Sequence, residues 1–180
     1  MKDREYPIKR KRIAIAISLL SLVTVTAIGV SIWALFFREP DVILSPDYAP
    51  QETEVNAEKV PNDGGDKMDT PEGVGAVSLT YSDQVSIDIS QEKAYLLFVN
   101  PGKSTQDMIL QIVIQGEVVV QSGRLTPGHR VTTLDLLPKA VSKLAPGGYN
   151  AKFVVFYYDK ESGEKAIVNT EIPIHITVKA

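Results

Sequence analysis

The residues that could carry chemistry are few and are not arranged as a site. His129 and His175 lie 46 positions apart, with neither helical nor hairpin ligand spacing. His129 falls in a Pro-Gly-His turn. His175 alternates with Ile172, Ile174, Ile176 and Val178, which places it on the polar face of a strand. Two such residues read as surface histidines rather than a metal pair. Asp83 and Asp88 could in principle act as a general acid–base pair, but a turn or a solvated edge explains them as well. Asp63, Asp66 and Asp69 offer oxygens to calcium at a spacing that fits no EF-hand. The run Asp159–Glu164 offers a second closely spaced oxygen set around Gly163, and a plain hairpin loop is the simpler reading. There is no Gly-x-Ser-x-Gly elbow and no Gly-rich strand-to-helix loop. Cysteine is absent, which excludes disulfides, thiolate metal sites, iron–sulfur clusters and cysteine nucleophiles. The expectation is a non-enzymatic chain without cofactor or resident metal.

The elements that would position such residues are sharply segregated. Residues 1–12 carry six Lys/Arg against two Asp/Glu, and residues 13–37 carry no charge at all. Ile13–Phe37 is 25 residues long, more than the ~20 a helix needs to cross ~30 Å of hydrocarbon. Lys9, Arg10, Lys11 and Arg12 precede it, so the positive-inside bias keeps the N-terminus cytosolic and puts the rest outside. Trp33, Phe36 and Phe37 fall at the far interface. The run is long for a cleaved signal and leaves through Phe36-Phe37-Arg38-Glu39-Pro40, without a small-residue cleavage site. A retained single-pass anchor in contact with membrane lipid is expected. An exported domain without cysteine suits a bacterial envelope.

Residues 38–75 form an acidic linker. Ten acidic residues face Lys59 and Lys67 over 39–75, with five prolines. Low hydrophobicity with high net charge predicts disorder, and a flexible coil of this length spans on the order of 35 Å. Whether Val42-Ile43-Leu44 and Tyr48 rest on the membrane or on the domain stays open.

Residues 76–180 carry ten Lys/Arg and ten Asp/Glu, so nucleic acid is not an expected partner. Short apolar runs alternate with turn residues. Strands are expected at Ala76–Tyr81, Val85–Ile89, Ala94–Asn100, Met108–Ile114, Glu117–Gln121, Arg130–Leu136, Tyr149–Asp159 and Ala166–Val178. Gln115-Gly116 predicts a two-residue hairpin turn. Leu137–Leu144 is the only stretch that could be helical, as a short turn. The spacing predicts an all-β sandwich or barrel.

Leu144-Ala145-Pro146-Gly147-Gly148-Tyr149 ahead of a long aromatic strand resembles the tyrosine corner of immunoglobulin-like and fibronectin type III-like sandwiches, with Leu144, Gly147 and Tyr149 as the corner. The resemblance implies an antiparallel β-sandwich of about seven to eight strands. The cysteine and the strand C tryptophan of antibody domains are missing: Ala151 takes the cysteine position, and the only Trp lies in the apolar run. The layout is also similar to membrane-anchored surface proteins of Gram-positive bacteria, including ones encoded on conjugative elements.

Two strands carry more apolar residues than one buried face requires. On Tyr149–Asp159 and Met108–Ile114, which the family topology makes neighbours, Ile109, Val113, Val154, Phe156 and Tyr158 share the outer face. Exposed, this patch would bind a protein partner; alternatively a linker segment or loop covers it. A competing expectation is a cell-wall glycan stacking on Tyr95, Phe156 and Tyr158.

Overall fold

The computed structural model describes residues 6–36, 46–61, 63, 66–69 and 75–180. It contains two compact units, divided after Val42.

The first unit holds helix α1, Tyr6–Phe36. Ile13–Val30 within it has a mean hydropathy of 2.4 and is long and apolar enough to cross a membrane. Both threonine hydroxyls are satisfied inside the helix: Thr24 Oγ1 donates to Leu20 O at 2.9 Å, and Thr26 Oγ1 to Leu22 O at 3.0 Å. Lys9, Arg10, Lys11 and Arg12 lie on the backbone of α1, and their side chains are outside the described residues, as are Phe37 and Val42-Ile43-Leu44.

The second unit is all-β and sandwich-like. In chain order it comprises β1 Glu58–Lys59, β2 Thr80–Tyr81, β3 Gln84–Asp88, β4 Lys93–Asn100, β5 Gln106–Ile114, β6 Glu117–Gln121, β7 His129–Asp135, helix α2 Pro138–Val141, β8 Gly147–Asp159 and β9 Lys165–Lys179. The nine strands make one curled sheet in the order β1-β7-β4-β3-β9-β8-β5-β6, with β2 added to β4. Every pairing is antiparallel except β3 with β9, so the sheet is mixed where an antiparallel one was expected. Val120 bridges Leu136, and Leu137 N donates to Val119 O at 2.9 Å, which brings the β6 end back to the chain leaving β7.

Local chemistry accounts for these elements. Gln115 (φ 51°) and Gly116 (φ 86°) both sit in the left-handed region, the requirement of the tight hairpin joining β5 to β6. Along β9, Ile172, Ile174, Ile176 and Val178 are buried while the residues between them are exposed. The interior gathers Ile87, Phe98, Leu110, Ile112, Leu134, Phe153 and Ile174. Phe98 and Phe153 meet edge to face at 5.9 Å, a favoured aromatic geometry. Each fully buried Leu, Ile or Phe contributes roughly 1.5–3 kcal/mol.

The strand expected over Ala76–Tyr81 is shorter than its apolar pattern suggests: only Thr80 and Tyr81 pair, with Val99 and Phe98. Residues 76–79 are claimed by side chains instead. Ala76 N donates to Thr105 Oγ1 at 2.9 Å, and Ser78 N to Ser104 Oγ at 3.1 Å.

A larger correction concerns the linker. Residues 46–61 do not float free but run along the domain. Lys165 N donates to Asp47 O at 2.8 Å, Ala49 N to Gly163 O at 2.7 Å, and Glu54 N to Arg124 O at 3.0 Å. β1 then pairs with β7. Further on, Asp63 Oδ2 accepts from Gly102 N at 2.5 Å, and Lys67 Nζ donates to Ser104 O at 2.7 Å. Composition predicts disorder because it counts only what a segment buries; here specific acceptors meet specific backbone donors.

Within the sheet, part of the β9 edge is left open. β3 pairs with β9 only from His175 onward, and among the described residues no strand joins β9 on that side over 166–174. His175 N donates to Asp83 O, so alternate residues back along β9 turn their backbone toward the open edge. Pro173, the first of these, has no N–H to offer, a common way to blunt an edge.

The corner residues lie where β8 begins. Tyr149 Oη donates to Ala145 O at 2.8 Å, a back-bond across the turn, and Leu144 packs partly buried against the core. Tyr149→Phe is expected to lower unfolding free energy by about 1 kcal/mol in urea denaturation; unchanged stability would mean the bond contributes nothing in solution.

Candidate interaction surface

The outer face of β5 and β8 is the one place where sequence-singled residues converge. In register, Ile109 stands opposite Phe156, Gln111 opposite Val154, and Asp107 opposite Tyr158. Ile109, Val113, Val154, Phe156 and Tyr158 form one apolar cluster, separate from the main interior. The structure therefore brings these five together. It does not leave them open: Phe156, the most exposed, is only 9% accessible, and Ile109 and Tyr158 are fully buried. Of the two readings of this face, exposure as a docking patch is corrected and cover by a linker segment is what the structure has.

Three layers of cover close the face. At one end residues 46–54 cross it: Ala49 packs on the cluster, and Tyr158 Oη donates to Pro46 O at 3.0 Å. In the middle the Lys165 ammonium lies 4.5 Å from the centre of the Phe156 ring, a cation–π placement. Beyond it, polar residues stand beside the two valines in register, Lys152 opposite Val113, and Gln111 and Glu171 on either side of Val154. Lys152 Nζ meets Glu171 Oε2 at 2.8 Å, and Gln111 Nε2 donates to Gln121 Oε1 at 2.7 Å.

No pattern in the sequence singles out Glu54, yet it holds the cover down. Its Oε2 accepts from Gly123 N at 2.6 Å, and its Oε1 accepts from Asn56 N at 2.9 Å. A Cβ on Gly123 would come within 2.9 Å of Glu54 Cα, so only glycine permits this approach. The usable hint was indirect: an apolar outer face needs a cover.

Beneath the covering segment lies a buried carboxylate. Asp107 is 1% exposed. Its Oδ2 is 3.6 Å from Arg124 Nη1, and its Oδ1 has no hydrogen-bond partner among the described residues; nor has Arg124 Nε. Burial pushes the Asp107 carboxyl up, and the Arg124 charge offsets this only in part.

The other candidates sit in structural roles. Asp88 Oδ1 accepts from Ser90 Oγ at 2.6 Å and Gln91 N at 3.2 Å, and the Ser90 bond holds its carboxyl below the usual range. Asp83 lends its carbonyl to His175. Asp159 Oδ1 accepts from Ser162 N at 2.7 Å, Ser162 Oγ at 3.0 Å and Glu161 N at 3.0 Å; the Ser162 amide leads in lowering its carboxyl. That loop is an Asx-type hairpin turn with Gly163 at φ 73°. His129 Nδ1 pairs with Thr126 Oγ1 at 2.9 Å, and His175 is exposed on the polar face of β9. Asp63 caps the Gly102 amide and is not joined by Asp66 or Asp69; among the described residues no three His, Asp or Glu side chains converge on a metal position. The glycan platform is not assembled. Tyr95 lies on β4, separated from β8 by the two strands β3 and β9, while Phe156 and Tyr158 are buried.

Fold and surface together define a β-sandwich-like domain behind one long apolar helix, with its second apolar face sealed by the chain's own acidic segment. No family model matches the chain, and no curated protein matches it. Among solved structures, the chain is similar to AggA, the major subunit of aggregative adherence fimbriae type I from Escherichia coli, at 14% identity and a TM-score of 0.30, covering 62% of this chain and 100% of that one.

Two outcomes test this description. Phe156→Ser should lower stability by about 3 kcal/mol or more, because a sealed ring is removed and a hydroxyl takes its place; a loss below about 1 kcal/mol would mean the face opens in solution. Asp107→Asn removes a carboxyl whose folded pKa lies above its unfolded value of ~3.9. A raised carboxyl costs nothing below that unfolded value, and the cost grows as pH rises through the folded pKa. The variant should therefore gain stability relative to the parent as pH rises from about 4. Denaturant titrations across pH check this; a stability difference that stays flat or moves the other way with pH would mean that the Arg124 charge outweighs the burial of Asp107.

Proposed function

We propose that this chain is a membrane-anchored, extracytoplasmic module of the bacterial cell envelope that acts without catalysis, as a structural or protein-binding domain held at the membrane by α1. The observation that carries the reading is α1 itself. Every described side chain from Ile13 to Val30 is exposed, at a mean hydropathy of 2.4. Eighteen successive exposed residues of that character need an apolar phase around them. The internally bonded Thr24 and Thr26 hydroxyls suit hydrocarbon, where no water could satisfy them. The basic run Lys9–Arg12 supports a cytosolic N-terminus. A protein partner fits the non-catalytic reading because the carboxylates and histidines that could do chemistry lock turns or face solvent. The β5–β8 outer face is not its docking surface in the sealed state, and the glycan alternative has lost its aromatic platform.

The test is membrane extraction combined with surface proteolysis. With a C-terminal tag, the full-length chain should stay in the pellet after alkaline carbonate washing. Protease added outside should remove the tagged domain. Release into the carbonate supernatant, or a mature N-terminus beyond residue 37, would replace the anchor with a cleaved signal.

A further inference from the structure

Among the described residues of the domain, Val55, Tyr81 and Tyr95 are exposed singly, while one group of exposed apolar side chains is contiguous. Ile167 and Val168 are consecutive on β9 and are 104% and 69% exposed. In a regular strand consecutive side chains point to opposite faces, so one of the two would be covered. Here the register breaks. Phe156 pairs with Asn169 and Tyr158 with Lys165, which leaves Ala166, Ile167 and Val168 opposite Tyr157 alone. The extra residues bulge out of the sheet. Tyr48, 60% exposed, lies beside the same hairpin through its bridge to Glu164. Single exposed apolar residues are ordinary; adjacent β-branched ones raised on a bulge, with a tyrosine next to them, form a patch that calls for an occupant.

Charge and reach select that occupant. At this hairpin the carboxylates Asp47, Asp159, Glu161 and Glu164 outnumber Lys160 and Lys165, so charge does not draw it to an anionic surface and the contact must be apolar. The N-terminal end of the covering segment is stitched to this hairpin through Asp47 and Ala49. Only residues 38–45 separate the apolar run from Pro46. Nine peptide steps reach at most roughly 32 Å, about the thickness of one hydrocarbon core. Resting on the reading of α1 as an anchor, we infer that the Ile167–Val168 bulge, with Tyr48 beside it, is a bilayer contact that inserts into the interface of the membrane holding the chain's own helix. The short tether raises the local concentration of the bulge at that surface, so a few side chains suffice. Tyrosine is a residue of membrane interfaces. Because the contact is apolar, salt does not release it.

The chain has no cysteine, so one introduced thiol is the only labelled site. Full-length Ile167→Cys carries an environment-sensitive fluorophore in phosphatidylcholine–phosphatidylglycerol vesicles containing a lipid-borne quencher. Val23→Cys in α1 and Lys179→Cys serve as references. Lys179 lies at the opposite end of β9, twelve residues from Ile167, or about 40 Å along the strand. The labels at 23 and 167 should be quenched at least about two-fold at low and high salt, and the label at 179 left unquenched. Quenching at 23 with 167 behaving like 179 overturns the bilayer contact and leaves the anchor standing. No quenching at 23 removes the anchor and the inference together. A blue shift at 167 without lipid quenching overturns it in favour of a protein surface, such as a second copy of the chain.

Discussion

A pair of neighbouring strands that is apolar on both faces cannot leave either face in water, and much of this domain follows from that constraint. β5 is buried from Asp107 to Ile114 and β8 from Phe153 to Tyr158. A sandwich has an answer for one face: it lays β4, β3 and β7 across the interior, and Phe98 meets Phe153 there. The outer face has no second sheet. Something else must cover Ile109, Phe156 and Tyr158, and the chain supplies it from residues 46–56. Removing five such side chains from water is worth several kcal/mol in total at ordinary transfer values, against roughly 1–2 kcal/mol of backbone entropy per ordered residue. Apolar burial alone would not hold a segment of that length in place.

Hydrogen bonds make up the difference, and they explain why the cover is acidic. A carboxylate is a strong acceptor for backbone N–H groups at turns. Glu54 takes Gly123 N and Asn56 N; Asp63 takes Gly102 N. Gly102 and Gly123 both lack the Cβ that would collide with the incoming chain. The backbone adds the Asp47–Lys165 and Glu54–Arg124 bonds and the β1–β7 pairing. Two carboxylates of a composition that reads as self-repelling, Glu54 and Asp63, thus act as acceptors for turn amides of the domain.

This separates what the sequence makes legible from what it hides. Strands are legible because period-two alternation and turn residues are local: the pairs Glu117–Gln121 and Gln115-Gly116 can be read within a few positions. The membership of the outer cluster is legible for the same reason, since one strand parity and one neighbour relation determine it. Exposure is not local. Whether Phe156 meets water depends on Ala49, Pro46 and Lys165, the first two more than a hundred residues upstream. The docking of 46–56 rests on pairs such as Glu54 with Gly123, sixty-nine residues apart, and no pattern within either segment announces the match. The bulge at Ala166–Val168 escapes for a related reason: a regular alternation predicts one buried and one exposed residue, and only the register against Tyr157 reveals that both are lifted out.

The sealed face also gives meaning to the one loose polar pair. Asp107 is buried beside Arg124, whose side chain stays 28% exposed; they meet at 3.6 Å with Asp107 Oδ1 and Arg124 Nε unpartnered among the described residues. A buried ion pair of that geometry returns little of its desolvation cost. A well-packed apolar pair at the same site would hold the cover more tightly. If the segment lifts, Asp107 and Arg124 regain water while Ile109 and Phe156 lose their shelter, so the two terms oppose each other. The cover is held chiefly by the acceptors at Glu54 and the backbone stitches at Asp47 and Ala49, and its free energy of opening is the difference between those bonds and the relief of the buried pair. That places the covering segment, rather than the sandwich interior, at the low-stability end of the domain.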